Sequence, residues 1–261
     1  MAESPAATCQ PRIEVVVPTL NSEAILPRLV RSLQQQSWPH WRLSFIDGPS
    51  SASHRASLER LCQEDQRLRW SSQDPEQPGI FGAMNQGAAQ ADPQAWLLFW
   101  GSDDWATGPT VLETLAARLR ELCGREREPD LVVCRGRYEN GRPSVFRWRH
   151  SYRRSLFLGS TPPHQATAVG PGARRRLPSY AEGFRLSADL DHFLRLSAFP
   201  DLRVEQLDLE LVGMGSGGVS GVQTSRRLQE VRWAYRRAFG AAWPLPFLLR
   251  YGQRLLSLVK P

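Results

Sequence analysis

Two adjacent acids, Asp103 and Asp104, follow six apolar residues, Ala95 to Trp100, with only Gly101 and Ser102 between. A run of that length reads as a strand buried on both faces. In an open α/β sheet, ligands bind beyond the carboxyl ends of the strands. Two carboxylates there suit a hard divalent cation, and the cation suits a phosphate; a solvated turn or helix N-cap is the plainer use of the same residues. A second acidic pair lies in Ala188-Asp-Leu-Asp-His-Phe-Leu-Arg-Leu196. Asp189 and Asp191 are two apart, so on a helix they point to different faces. One can face a cleft and take a proton as a general base, or both can be first-turn charges favoured by the helix dipole. His164-Gln165 follows Pro162-Pro163. Its imidazole suits a metal or a hydroxyl, and equally a backbone hydrogen bond. Arg195, on the helix of the second pair, reads as a salt-bridge partner.

These residues need elements to hold them. Ile13-Glu-Val-Val-Val17 is a parallel-type strand stopped by Pro18, followed by a turn at Asn21-Ser22 and a helix from Glu23. Trp41 to Ile46 is a strand ending at Asp47-Gly48, Ser53 to Glu64 a helix, Arg67 to Ser71 a strand, and Gly79 to Ala91 a helix. With the strand Ala95 to Trp100, this alternation predicts an α/β fold with a mostly parallel sheet and right-handed crossovers. Further on, Pro109 to Leu122 is helical, Asp130 to Cys134 a strand, and Asn140-Gly141 a hairpin turn. Tyr152 to Val169 is mixed. Ser187 to Ser197 is helical, Leu202 to Val212 a strand, and Gly213 to Gly221 a loop. Two helical patterns, split by Trp243-Pro-Leu-Pro246, close the chain.

At 261 residues the chain can bury a large core, and 41% hydrophobic with 23% charged residues is the composition of a globular domain. No run approaches the ~20 apolar residues of a membrane-spanning helix. The Met1-Ala-Glu-Ser-Pro start has neither a basic cluster nor an apolar run, so no signal peptide is expected. The four cysteines form no Cys-x-x-Cys pair, and their scatter suits a reducing cytosol better than a disulfide framework. The net charge of +7 is carried by the stretch Arg226 to Lys260, with eight basic residues and one acid, Glu230. Charge confined to a tail argues against a nucleic-acid surface.

The motifs fall in a definite order: Pro-Thr-Leu-Asn21, Ile-Asp47-Gly, Gly-Ile-Phe-Gly-Ala-Met-Asn85-Gln-Gly, Gly-Ser-Asp103-Asp104, His164-Gln165, Ala-Asp189-Leu-Asp191-His-Phe-Leu-Arg-Leu and Gly-Gly218-Val-Ser220. Together, from Ile13 to Ser220, they resemble the family 2 glycosyltransferases of bacterial surface-polysaccharide assembly. The resemblance implies the GT-A (Rossmann-like) fold, with a domain over residues 1–221 and a basic amphipathic helical extension over 222–261. It implies a nucleotide-sugar donor, a UDP-sugar favoured, and inverting hexosyl transfer to a glycan or lipid-linked acceptor. Thr19, Asn21 and Asp47 are expected around the nucleotide. Asp103 and Asp104 are expected to hold Mg²⁺ or Mn²⁺ on the diphosphate, and Asp189 to be the catalytic base. Asn85, Asp103, His164, Gln165, Asp191, Gly218 and Ser220 complete the expected substrate-binding set. Against the family pattern, acids are missing from Pro49-Ser-Ser-Ala-Ser53 and at Gly82, Gly101 and Ala188, and Glu76-Gln-Pro-Gly79 replaces Asp-Lys-Gly. A non-catalytic nucleotide-sugar-binding or regulatory module is the competing reading. A nucleotidyltransferase would need a Gly-rich basic loop after the first strand, which Pro18-Thr-Leu-Asn21 is not.

In the tail, Phe247, Leu248, Tyr251, Leu255 and Leu258 can share one helical face, with Arg250 and Arg254 off it. Such a helix suits an anionic membrane surface, giving a cytoplasmic protein peripheral to the inner face of the plasma membrane. It equally suits packing on the domain with arginine stems over apolar surface.

Overall fold

The computed structural model describes residues 10–123, 128–215 and 224–259, so the expected contacts of Gly218 and Ser220 lie outside the described residues. The first half alternates as its hydrophobic pattern requires: β1 (Ile13–Thr19), α1 (Leu26–Gln34), β2 (Trp41–Asp47), α2 (Ala52–Glu64), β3 (Leu68–Ser72), α3 (Ile80–Gln90) and β4 (Trp96–Phe99). These four strands are parallel, with Thr19 level with Asp47 at the carboxyl ends of β1 and β2. Both faces of β1 are buried. Val15 and Val17 join one apolar cluster with α1, and Val16 joins another with α3.

Two details differ from expectation. β1 runs through Pro18 to Thr19 instead of stopping before the proline. Val16 O accepts from Trp100 N, so residue 18 also turns toward the β4 flank, where β4 has ended at Phe99. The missing N–H of Pro18 therefore breaks no ladder bond, and its carbonyl accepts from Ser102 Oγ at 3.0 Å. Helix α1 starts at Leu26 rather than Glu23, with Pro27 in its first turn.

The second half comprises β5 (Trp105–Ala106), α4 (Val111–Leu122), β6 (Leu131–Tyr138), β7 (Pro143–Ser144), α5 (Tyr152–Phe157), β8 (Thr167–Val169), α6 (Pro171–Arg176), α7 (Ala188–Leu196), β9 (Val204–Met214), α8 (Thr224–Phe239) and α9 (Pro244–Val259). The sheet order is β3-β2-β1-β4-β8-β6-β9-β5, with β7 on β6. The mixed stretch before Val169 holds β8, which joins the halves antiparallel to β4 and β6. β9 runs parallel to β6, so most of the paired register is parallel. Helix α8 buries Val231, Ala234 and Tyr235 in the α3–α7 cluster. Arg237 lies over the Phe184 ring. Cys62 and Cys134 are free thiols.

Glycines fix the closest approaches. A Cβ on Gly87 would lie 2.4 Å from Val16 Cγ1, so α3 sits directly on β1. A Cβ on Gly82 would lie 2.0 Å from the Gln77 carbonyl oxygen. The acid expected at position 82 has no room here.

Candidate active site

The carboxyl ends of β1, β2 and β4 open into a cleft of about 900 Å³, closed on the far side by residues 185–189 and on the rim by α1. Its floor is the turn after β4. Trp100 N donates to Val16 O at 3.1 Å, and its indole N–H donates to the Gln165 carbonyl at 2.9 Å. Asp104 folds back so that its Oδ2 accepts from Gly101 N at 2.6 Å. It is 2% exposed. Burial pushes its carboxyl up to about 8; the Gly101 N–H opposes this, the nearby Asp103 charge adds to it, and the Gly215 N–H opposes it too. Asp104 is thus the internal tie of the turn and does not line the cleft, a correction to its expected place as a second ligand. Asp103 does line it. A Cβ on Gly101 would lie 2.8 Å from Asp103 Oδ1, so a bare residue at 101 makes space for that carboxylate. Among the described residues no three His, Cys, Asp or Glu side chains gather as a metal cage. One unshared carboxylate is still a fit for Mg²⁺ or Mn²⁺ when phosphate oxygens and water supply the rest of the shell.

The nucleotide-side residues are knitted together from below. Thr19 lines the cleft, and its hydroxyl donates to Asp47 Oδ1 at 2.9 Å. Asp47 is 1% exposed and lies behind the wall rather than in it, because Thr19, Ser50 at 2.7 Å and His54 at 3.1 Å surround one of its oxygens. His54, fully buried, also faces Glu23 at 3.1 Å. Asn21, at φ 46°, spends its side-chain oxygen on Ser51 N at 2.8 Å and its N–H on Ser50 Oγ at 3.0 Å. It is a strut between two loops, not a ligand contact. Asn85 is likewise committed, donating to Tyr180 O at 3.1 Å and accepting from Tyr180 N at 2.8 Å.

The two acids of α7 separate as their spacing requires. Asp189 lines the cleft. Asp191 is buried on the other face, held by Arg237 at 3.0 Å and Arg195 at 3.8 Å. Its carboxyl is raised by burial, against the pull of both arginines. It does not reach the cleft, which corrects its place in the substrate-binding set. Ser187 makes no side-chain cap for α7. Instead Glu230 of α8, fully buried, accepts from the N–H groups of Arg185, Leu186 and Ser187 at 2.9, 2.7 and 2.9 Å. Arg226 steadies it at 3.0 Å. The one acid of the basic tail therefore pins the turn that leads into the helix presenting Asp189. Its isolation among arginines was the available signal.

His164 and Gln165 both line the cleft. The imidazole stacks on Phe99, centroids 5.7 Å apart and planes 5° from parallel, and its Nε2 meets Tyr180 Oη at 2.8 Å. Burial lowers its tendency to protonate, opposed by the Asp189 charge. Arg28, Arg31 and Arg185 line the rim. Arg28 lies 3.2 Å over the Trp105 ring and pairs with Glu139 at 2.8 Å. Sequence reading missed these arginines because nothing local marks one arginine among so many.

A parallel sheet with a carboxylate beyond its central strand, an acid-bearing helix across the cleft and an antiparallel strand joining the halves define the GT-A class of glycosyltransferases. The chain belongs to glycosyl transferase family 2, whose sequence profile matches residues 14–178. It is 27% identical over 215 residues to the PGL/p-HBAD biosynthesis glycosyltransferase of Mycobacterium tuberculosis, covering 80% of this chain and 79% of that one. The structure of Staphylococcus aureus TarS with UDP superimposes with a TM-score of 0.67 at 19% identity, over 86% of this chain and 64% of that one, just under two thirds of its length. Glucosyl-3-phosphoglycerate synthase of M. tuberculosis, bound to Mn²⁺, UDP and glucosyl-3-phosphoglycerate, gives 0.61 at 18% identity, over 88% and 80%. The protein is a glycosyltransferase of glycan biosynthesis.

Proposed function

We propose that the enzyme moves a hexosyl group from a nucleotide sugar, a UDP-sugar favoured, to a hydroxyl of a glycan or lipid-linked acceptor, with inversion. The observation that carries this reading is that Asp103 and Asp189, from two different elements, line one cleft. Asp189 accepts the proton of the acceptor hydroxyl as its oxygen attacks the anomeric carbon. The bond to the diphosphate breaks on the opposite face, and the nucleoside diphosphate leaves. In-line displacement from the opposite face inverts the anomeric centre. Mg²⁺ or Mn²⁺ held by Asp103 would neutralise the departing charge, and UDP and Mn²⁺ in the solved relative support that expectation. Thr19 and the Gly48 backbone shape the nucleotide side. Arg31 and Arg185 add positive potential at the mouth.

A lipid-linked acceptor fits the tail. Trp233, Leu245 and Leu248 are 52%, 54% and 65% exposed, beside the exposed Arg232 and Arg236. Among the described residues no helix is long and apolar enough to cross a membrane. We place the enzyme in the cytoplasm, peripheral on an anionic membrane surface.

Thermal unfolding against nucleoside diphosphates, with and without Mn²⁺, tests the reading. A ligand at ~100 times its Kd adds about 2.7 kcal/mol, roughly 2–4 °C of midpoint per kcal/mol for a domain this size. The expected result is a metal-dependent shift with one diphosphate, abolished by Asp103→Ala, and a product of inverted configuration by NMR. No shift with any diphosphate, or a retained configuration, would overturn it.

A further inference from the structure

Tyr180 lies in the connection between α6 and α7 and is 4% exposed. The Asn85 side chain fixes its backbone from both sides, at 3.1 and 2.8 Å. Its ring is packed against Phe81, Phe99 and His192, with centroids 5.1, 5.4 and 4.8 Å away. So held, the phenol reaches one partner among the described residues, His164 Nε2 at 2.8 Å. Burial keeps the phenol protonated, its value raised well above the ordinary one, with the Asp189 charge adding to the effect. Burial also holds the His164 imidazole neutral.

A neutral imidazole has one donor nitrogen and one acceptor. If Nε2 donated, the buried phenol hydrogen would have no acceptor among the described residues. The phenol is therefore the donor and Nε2 the acceptor, which leaves the proton on Nδ1. Nδ1 has no hydrogen-bond partner among the described residues and is not a buried atom. The ring that carries it lines the cleft together with Asp189.

We propose that Tyr180 is a positioning residue that locks His164 in the Nδ1–H tautomer, so that His164 donates a hydrogen bond to a sugar hydroxyl in the cleft. The identity of the ligand rests on the glycosyl-transfer reading; the tautomer does not. Asn85 serves the same arrangement by holding the Tyr180 backbone. The hydroxyl can belong to the donor sugar or to the acceptor. Both present the same lone pair to an N–H donor.

The test uses the full chain with ¹⁵N-labelled histidine, and His164 resonances are assigned by difference from His164→Gln. Wild type is expected to show one neutral tautomer, protonated at Nδ1. Tyr180→Phe keeps the ring and the Asn85 clamp and removes only the hydroxyl. It is expected to shift the imidazole toward Nε2–H, with the chain still folding cooperatively at a slightly lower urea midpoint and turnover of UDP-glucose reduced about tenfold, as for one lost hydrogen bond. If the hydroxyl is the donor's, UDP-glucose alone moves the Nδ1–H resonance. If it is the acceptor's, octyl β-D-glucoside added to the UDP complex moves it. A wild-type Nε2–H signal, a tautomer unchanged in Tyr180→Phe, or a resonance unmoved by either probe overturns the proposal. Failure of the glycosyl-transfer reading shows separately, as the absence of any thermal shift with nucleoside diphosphates, since the tautomer is read without ligand.

Discussion

Asp189 and Asp191 share a helix turn and a chemistry, yet the fold gives them opposite work. Asp189 opens on the cleft, whereas Asp191 is buried against Arg237 and Arg195. Asp189→Asn removes the proposed proton acceptor and leaves the packing, so turnover is expected to fall by about 10²–10⁴ with the urea midpoint unchanged. Asp191→Asn keeps the shape and removes the charge that two arginines share. Burial raises the Asp191 carboxyl against the pull of both arginines, so the charge adds no net stability at neutral pH, and the urea stability is expected to stay within about 1 kcal/mol of wild type, with Km for the donor retained. Equal loss of turnover in both variants would contradict the division. A spacing of two residues on a helix makes this separation legible in the sequence itself. The opposite is true of Asp47, Asn85 and Asp104. Their partners, Thr19, Tyr180 and Gly215, lie 28, 95 and 111 positions away or at a turn no local pattern announces. A residue type says that a side chain can bind; only the fold says what has already taken it.

At the scale of elements, the strands and helices of the first half were legible because each is a continuous apolar or amphipathic run. β8, three residues inside a mixed stretch, was not, since its place is set by β4 and β6 on either side. The anchor of the turn before α7 was legible only as one acid among the tail's arginines. Ser187 stands where a cap belongs and makes no cap bond; Glu230, more than forty residues on, instead binds the three N–H groups that lead into the helix. Glu230→Ala strips three backbone N–H groups and Arg226 of a buried partner. It should lose about 2–4 kcal/mol in urea denaturation and lower turnover with it, because Asp189 rides on that turn. Glu230→Gln is a sharper probe. Two N–H groups face Oε2 and one faces Oε1, so an amide must set its NH₂ against donors on one side. An intermediate loss is expected, and an unchanged midpoint in Glu230→Ala would show that the turn before α7 needs no anchor from α8. The tail that reads as an appendage in sequence is, through this residue, joined to the turn before the helix that presents Asp189.

Across the whole molecule, buried groups make stability depend on pH in opposite directions: His192 and His164 are lowered, Asp104 and Asp191 raised, and His192 and Asp104 form one opposed pair. His192 is driven down from 6.5 to about 3, first by burial and then by His164 and Arg195. Asp104 is driven up from 3.8 to about 8, first by burial. Stability rises with pH wherever the unfolded chain holds more protons than the folded one. Between about 3 and 6.5 the unfolded chain holds the His192 proton and the folded one does not, so this group alone makes stability fall as the solution is acidified. Between 3.8 and about 8 the folded chain holds the Asp104 proton and the unfolded one does not, so this group alone makes stability fall as pH rises. From roughly 4 to 6.5 the two slopes, each at most about 1.4 kcal/mol per pH unit, cancel. Metal-free protein in EDTA is expected to show a plateau of urea stability over that range and a decline from 6.5 toward 8. His192→Gln should convert the plateau into a decline with rising pH. Asp104→Asn should convert it into a rise and abolish the loss above 6.5. A wild-type plateau that both variants leave flat would mean that neither group carries its proton differently in the two states. That flat response is what a carboxylate ionised and an imidazole charged within the fold would give over this range, and the buried turn behind Asp103 would then be held by an ion rather than by a neutral acid.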